Sequence, residues 1–233
     1  MSPRLSLVVP VYNEAGNILD LVSGAAGVLS ARGDPYEIVL VNDASTDSTG
    51  AEIAEAAARW PACRELRLPK HAGQAAALLA GLREAGGELV LTMDGDGQND
   101  PLDFPALLDL VESGRLDLAC GWRVDRHDVR WRRVMSRLAN SIRRAVLGDR
   151  VHDAGCQLRV MRREVLAALG PMDLLQAFIP ALAVAAGFRV GELPVRHHPR
   201  RRGLSKYGLA ELWWRPAAGM LRLRLELWKR PPR

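Results

Sequence analysis

Apolar and polar positions follow two rhythms along this chain. Short apolar runs that stop at polar or glycine-rich clusters read as buried strands, and longer stretches with apolar residues at helical spacing read as the helices between them. Leu5 to Val11 is the first strand, ended by Pro10, Tyr12, Asn13 and Glu14, with an Ala/Leu/Val-rich helix to about Ala31. Tyr36 to Val41 is the second, and its polar continuation from Asn42 to Thr49 supplies capping residues for a helix to about Trp60. Glu65 to Leu68 is a short third strand before an alanine-rich helix that opens at Gly73. Leu89 to Met93 is the fourth, followed by a helix from Leu102 to Glu112 whose start is signalled by Asp100 and Pro101. Leu116 to Cys120 is a strand ending at Gly121, Trp122 and Arg123. Beyond a long basic helical pattern, Gln157 to Met161 reads as a strand, helical patterns begin near Glu164 and Leu174, and Phe188 to Val195 is the last strand. This alternation predicts an α/β fold, a single domain whose mostly parallel central sheet is covered on both faces.

Length agrees with this picture, because 233 residues suit one α/β domain with a sizeable core. We divide it into a domain over 1–207 and a basic amphipathic carboxyl-terminal segment over 208–233. Three cysteines without CxxC spacing argue for a reducing compartment, and against a disulfide framework or structural zinc. The first apolar run is too short for a signal peptide. The longest nearly uncharged stretch, Ala177 to Phe188, falls short of the roughly 20 residues a bilayer span needs. A soluble or peripheral protein on the cytoplasmic side is expected. Charge is divided unevenly: residues 1–114 carry 7 Lys+Arg against 17 Asp+Glu, and residues 115–233 carry 25 against 10. The basic half calls for an acidic partner, whether phosphate, nucleic acid or anionic lipid.

The densest chemistry lies where the fourth strand stops. Asp94, Asp96 and Gln98 stand two apart with glycines between them, at the carboxyl end of a strand, where ligands sit in open α/β sheets. Taken alone, the segment is either an acidic turn in water or an oxygen cage for Mg²⁺ or Mn²⁺. Tyr12 and Glu14 either cap the first helix or line a pocket beside this cage. His71 has no His or Cys at ligand spacing and reads as a structural histidine or a pocket wall. His197 and His198 read as loop residues.

Six segments taken together carry a resemblance. PVYNEAGNI, VNDASTDST, HAGQAAALLAG, MDGDGQNDP, DAGCQLRV and HHPRRRGLSKYG, in this order, resemble family 2 glycosyltransferases of the polyprenyl-phosphate type, with dolichol-phosphate mannose synthases as the nearest relatives. The resemblance implies a GT-A, Rossmann-like fold. It also implies inverting transfer of a monosaccharide from a nucleotide diphosphate sugar, GDP-mannose in the first place, to a polyprenyl phosphate. By resemblance Pro10, Tyr12, Glu14 and Asp43 line the nucleotide pocket, and Asp94, Asp96 and Gln98 hold the metal. Arg200, Ser205 and Lys206 close over the diphosphate, while Arg123, Arg137 and Ser141 hold the acceptor phosphate. Asp94, Asp96 and Arg200 are the catalytic candidates, and Asp153 is a candidate base. Two departures stand out: the usual acidic pair of the second motif is Asn42 and Asp43, and the spanning pair of some relatives has no counterpart.

The residue types agree with that chemistry. A departing nucleoside diphosphate gains negative charge, which a divalent cation and a guanidinium stabilise, and a phosphate monoester with a second pKa of about 6 needs no strong base. The carboxyl-terminal segment mixes Leu, Met and Trp with Arg and Lys. It either lies in a membrane interface or docks on its own domain or on a membrane-anchoring partner subunit. UDP-glucose, another UDP-sugar or a non-lipid acceptor is the alternative within the enzyme class. A nucleic-acid-binding module rests on charge alone and leaves the acidic segment unexplained.

Overall fold

The computed structural model of the chain describes residues 2–124, 140–199, 219–220 and 223–224. Strands β1 (Leu5–Val11), β2 (Tyr36–Asn42), β3 (Cys63–Arg67), β4 (Leu89–Thr92), β5 (Leu118–Arg123), β6 (Arg159–Arg162) and β7 (Val190–Val195) form one seven-stranded sheet. Their order is β3-β2-β1-β4-β6-β5-β7. Neighbours are parallel except at β6, which runs antiparallel to both β4 and β5.

The pleat sorts side chains onto two cores. Leu5, Leu7, Val9 and Val11 of β1 face one core with Ile38 and Leu40 of β2. Helices α1 (Ile18–Ala31), α2 (Thr49–Arg59) and α4 (Phe104–Glu112) cover that side. Val8, Val39 and Val41 face the other core under α3 (Gln74–Glu84) and α5 (Leu175–Ala185). Burial on both faces explains why these strands read as continuous apolar runs rather than alternating ones. The result is the three-layer, mostly parallel α/β domain that the sequence predicts.

Several boundaries differ from expectation. β3 starts at Cys63, two residues early, because Cys63 pairs with Ile38. β5 extends through Gly121 and Trp122 to Arg123, since β7 offers partners as far as Val195. The strand expected at Gln157 begins at Arg159, because the Gln157 carbonyl is taken by the Thr92 hydroxyl at 2.7 Å. The helical pattern near Glu164 is a 3₁₀ segment, Arg163–Ala168. Of the long basic helix, residues 140–147 are helical and residues 125–139 lie outside the described set.

Strand order fixes where a ligand fits. β1, β2 and β3 progress toward one edge, and β4 then returns to the other side of β1. Such a reversal opens a crevice at the carboxyl ends of the strands. The ends of β1, β2, β4, β5 and β7 all reach this edge, and β6, running the other way, starts from it. No helix among the described residues is long and apolar enough to cross a membrane. In the carboxyl-terminal segment, Leu223 is only 2% exposed and joins the α3/α5 core, with Met220 packed beside it. Leu223 and Met220 therefore pack on the domain.

One buried charge underlies the edge. Arg159 is fully buried, and its guanidinium donates to the Ala154 carbonyl at 2.8 Å and to Gln157 Oε1 at 3.2 Å. Arg159→Ala should lower unfolding stability by about 2–4 kcal/mol, through a cavity and two stranded acceptors, with Arg159→Met losing less because its stem still fills the space. Urea denaturation of both variants measures this.

Candidate active site

Two strand-end loops build the first wall by satisfying each other. Asn13 and Ala44 both take left-handed conformations just beyond β1 and β2, at φ 50 and 54. Asn13 N–H donates to Ser45 Oγ (3.1 Å), Glu14 N–H to Thr49 Oγ1 (2.8 Å) and Gly16 N–H to Glu52 (2.7 and 2.9 Å). Asn13 Oδ1 in turn accepts from Thr46 N–H at 2.8 Å. Amides exposed where α1 begins are thus met by side chains leading into α2. Glu14 is 9% exposed and its Oε2 accepts from Asn17 Nδ2 at 3.1 Å, a contact between side chains that does not cap α1.

Asp43 faces inward. Its Oδ1 accepts from Ala72 N–H at 2.7 Å and its Oδ2 from Gly73 N–H at 2.8 Å, while His71 Nδ1 lies 2.8 Å from Oδ2. Both oxygens serve the protein, and the side chain is only 3% exposed. Because its neighbours are acceptors, Nδ1 of His71 carries the proton. His71 then stacks on Tyr12 with ring centroids 4.0 Å apart. Asp43 therefore holds the loop that stacks His71 on Tyr12. His71, which the sequence offers as a structural histidine or a pocket wall, is bonded to Asp43 and stacked on Tyr12.

The acidic segment turns at the end of β4 directly over β1. A Cβ at Gly95 would stand 2.6 Å from Val11 Cγ1, so only glycine lets the loop press this close. Asp94 N–H donates to Asn99 Oδ1 at 3.0 Å, and Asp94 Oδ1 accepts from Gln74 Nε2 at 2.8 Å. Gln74 Oε1 accepts from Gln176 Nε2 at 3.3 Å, so neutral amides from α3 and α5 orient this carboxylate without cancelling its charge. Asp96, 8% exposed, accepts from Gln98 N–H at 3.1 Å.

The segment after β7 fastens this loop in place. Gln98 Nε2 donates to the His198 carbonyl at 3.2 Å, and His198 N–H donates back to the Gln98 carbonyl at 2.9 Å. Asn99 and His197 form an antiparallel bridge. Asp100 Oδ2 accepts from Arg196 Nη1 at 3.2 Å and from His198 Nε2 at 3.1 Å. Burial pushes the Asp100 carboxyl up, but the Leu102 N–H, His198 and Arg196 outweigh it and hold the group below its usual range.

On the opposite flank, Arg123 ends β5. Its Nε and Nη2 form a fork onto Asp153 at 2.7 and 2.9 Å. Burial disfavours the charged guanidinium, yet Asp153, with a contribution from Asp94, raises its pKa above the ordinary value. Ser141 is exposed on the helical stretch 140–147, where its Oγ accepts from Arg144 at 3.2 Å, so no direct bond joins it to Arg123. Pro10 is the penultimate residue of β1, paired with Val41. Arg137, Arg200, Ser205 and Lys206 lie outside the described residues.

Other chemistry is excluded by burial or engagement. Cys63 and Cys156 are pushed up to about 11 and Cys120 to about 12 by burial, so none supplies a thiolate near neutrality. A crevice of about 410 Å³ at the opposite edge is lined by Arg4, Glu112 and Arg163 among others, but these are engaged in the fold. Arg4 pairs with Asp34 and Glu112, and Arg163 donates to the Ala85 and Gly87 carbonyls.

A mostly parallel α/β sheet with two carboxylates at its central strand end is the architecture of GT-A glycosyltransferases. The chain belongs to glycosyl transferase family 2, whose family model matches residues 6–170. It is 38% identical over 213 residues to the dodecaprenyl-phosphate galacturonate synthase of Rhizobium johnstonii, a match covering 90% of this chain and 63% of that protein. It is 39% identical over 210 residues to the undecaprenyl-phosphate 4-deoxy-4-formamido-L-arabinose transferase of Edwardsiella ictaluri, covering 89% and 64%. The chain thus spans less than two thirds of the length of these relatives. Among solved structures, glucosyl-3-phosphoglycerate synthase from Mycobacterium tuberculosis, in complex with Mn²⁺, UDP and glucosyl-3-phosphoglycerate, superposes with a TM-score of 0.70 at 19% identity. That match covers 95% of this chain and 80% of the other. S. aureus TarS in complex with UDP-GlcNAc gives 0.66 at 18% identity, covering 96% and 66%. At these identities the structures establish the shared fold.

Two outcomes check this geometry. Asp43→Ala should cost about 1.5–3 kcal/mol in unfolding stability even without ligand, since two amides at the start of α3 lose a charged acceptor; an unchanged denaturation midpoint would return Asp43 to a purely ligand-facing role. The Asp100 clamp contributes stability that is present above the unfolded carboxylate pKa of about 3.9 and lost as pH falls through the lower folded value. Amide exchange at His198 should therefore stay slow from neutral pH down to about 4 and quicken below it. In Asp100→Asn this step should vanish.

Proposed function

We propose that this chain transfers a monosaccharide from a nucleoside diphosphate sugar to a polyprenyl phosphate, with inversion at the anomeric carbon. The observation that carries this reading is one sheet edge holding Asp94 and Asp96 at the end of β4 and the Arg123 fork at the end of β5. The family and the names of the two curated relatives supply the substrate class.

An acceptor phosphate oxygen bonds to the anomeric carbon as the bond from that carbon to the diphosphate breaks, and the electron pair leaves with the nucleoside diphosphate. The nucleophile is mostly dianionic near neutrality because its second pKa is about 6, so no protein group needs to remove a proton. What the protein must do is bring two anionic groups together and exclude other geometries. Tyr12 and His71 form the wall against which the nucleoside rests, and Arg123 faces the acceptor. From beyond the described residues, Arg200, Ser205 and Lys206 close on the diphosphate, and Arg137 adds charge on the acceptor side.

The donor set suits Mg²⁺ or Mn²⁺. Asp94 and Asp96 would supply two hard carboxylates at the end of β4. Magnesium favours this mode of binding, through one or two carboxylates plus substrate phosphates. When bound, the ion neutralises charge on the departing diphosphate. Gln98 is held in the same loop, with its amide nitrogen turned to His198.

A UDP-sugar is the donor we favour over GDP-mannose. The solved neighbours carry UDP or UDP-GlcNAc, and the relatives are named for galacturonate and a formamido-arabinose, so nothing in them supports mannose. We infer a position at the cytoplasmic membrane face, alone or beside an anchoring subunit, and the proposed lipid acceptor and the basic second half support it.

A screen of UDP- and GDP-sugars with a short polyprenyl phosphate and Mn²⁺ should give lipid-linked product from a UDP-sugar. Asp96→Ala should lower turnover at least about a hundredfold with the fold intact. Product from GDP-mannose alone would overturn the donor assignment, and full activity of the variant in chelator would remove the metal.

A further inference from the structure

Asp153 is the acidic residue of the site whose surroundings are the most closely constructed, and its place in the transfer follows from them. It makes a two-point fork with Arg123: Oδ2 accepts from Nε at 2.7 Å, and Oδ1 accepts from Nη2 at 2.9 Å. The two side chains are only 13% and 5% exposed. Planar, two-point pairing fixes a guanidinium in orientation as well as position. The fork leaves Nη1 of Arg123 outside the pair with Asp153 and fixes the direction of its two N–H groups.

Four further contacts hold this fork. At Gly155 a Cβ would stand 2.9 Å from Arg123 Nη2, so the guanidinium lies in a cradle that any other residue would fill. Glu192, on the β7 strand next to β5, accepts from Asp153 N–H at 3.0 Å and from His152 N–H at 2.7 Å. The His152 ring, also bonded to Glu192 at 2.8 Å, stacks on Trp122, the residue before Arg123. Beneath the loop, buried Arg159 grips the Ala154 carbonyl at 2.8 Å. Arg123 is therefore built on β5 while the loop carrying Asp153 is tied to its neighbour β7, so the two cannot drift independently.

We propose that Asp153 is a positioning residue: it aims Arg123 Nη1 at a phosphomonoester dianion, and it is not the proton acceptor of the transfer. This rests on the acceptor role given to Arg123 above. A carboxylate engaged at both oxygens by a guanidinium would have to surrender that pair to take a proton, and a dianionic nucleophile offers none to take. The pair is neutral overall. Attraction of the dianion falls to the other cations of the basic half, and Arg123 contributes direction.

The test is binding of farnesyl phosphate, followed by ³¹P NMR titration of the full chain, with glycerol 3-phosphate as a soluble phosphomonoester and UDP with Mn²⁺ as a control ligand. Asp153→Asn should weaken farnesyl phosphate binding roughly tenfold and leave UDP binding unchanged, as expected for one misaimed charge-assisted bond. Arg123→Lys should do the same, and the double variant should be little weaker than either single one, because both remove one interaction. Turnover of Asp153→Asn at saturating acceptor should keep its kcat and its pH profile. Unchanged farnesyl phosphate affinity overturns the proposal. So does a collapsed kcat with intact affinity, the mark of a base, or an equal loss of UDP binding, the mark of a structural defect. Failure of the wild-type chain to bind either phosphomonoester also overturns it. Binding of glycerol 3-phosphate alone would leave the role of Asp153 standing and remove the lipid acceptor.

Discussion

Every strand that ends at the site edge releases amide groups which no longer have a sheet partner, and the whole edge is shaped by where those groups find acceptors. The loops after β1 and β2 answer each other through Asn13, Ser45, Thr46 and Thr49. Asp43 takes the amides ahead of α3, and Glu192 takes those of His152 and Asp153. Residues with chemistry to offer are fixed as a by-product of this satisfaction. Tyr12 meets His71 because Asp43 anchors the loop that carries His71. Arg123 is aimed because Asp153 is itself pinned to β7.

Much of the fold was legible because burial on both faces of the sheet writes itself into composition. Leu5 to Val11 and its neighbours are continuous apolar runs, and the polar cluster after each marks the edge at which ligands gather. Direction was not legible: the apolar content of Leu158 to Met161 is the same whether the strand runs with or against β4, and only its partners decide. Trp122 and Arg123 look like a strand's end by composition, yet they pair with β7 to the last residue.

Within the site, types of residue were legible and partners were not. The spacing of Asp94 and Asp96 suits a hard cation or an acidic turn in water, and only the other motifs favour the first. That both oxygens of Asp43 serve Ala72 and Gly73 depends on contacts about thirty residues away, which no local pattern encodes. Gln74 and Gln176 carry no signal of their own in the sequence, since a neutral amide acquires meaning only when a carboxylate lies beside it. Charge asymmetry between the halves was visible at once, but it describes the field and not the geometry.

The bond pair between Gln98 and His198 joins positions a hundred residues apart. Closing so long a loop carries an entropic cost that is recovered only after the intervening strands have packed, so contacts of this kind form late as a chain folds. The acidic loop after β4 exists as a local turn from early on, yet it gains its final restraints only when β7, the last strand, has docked beside β5. Completion of the acidic edge and completion of the domain are therefore one event. A chain stalled before its last strand would hold every carboxylate of the site and still lack the site's form.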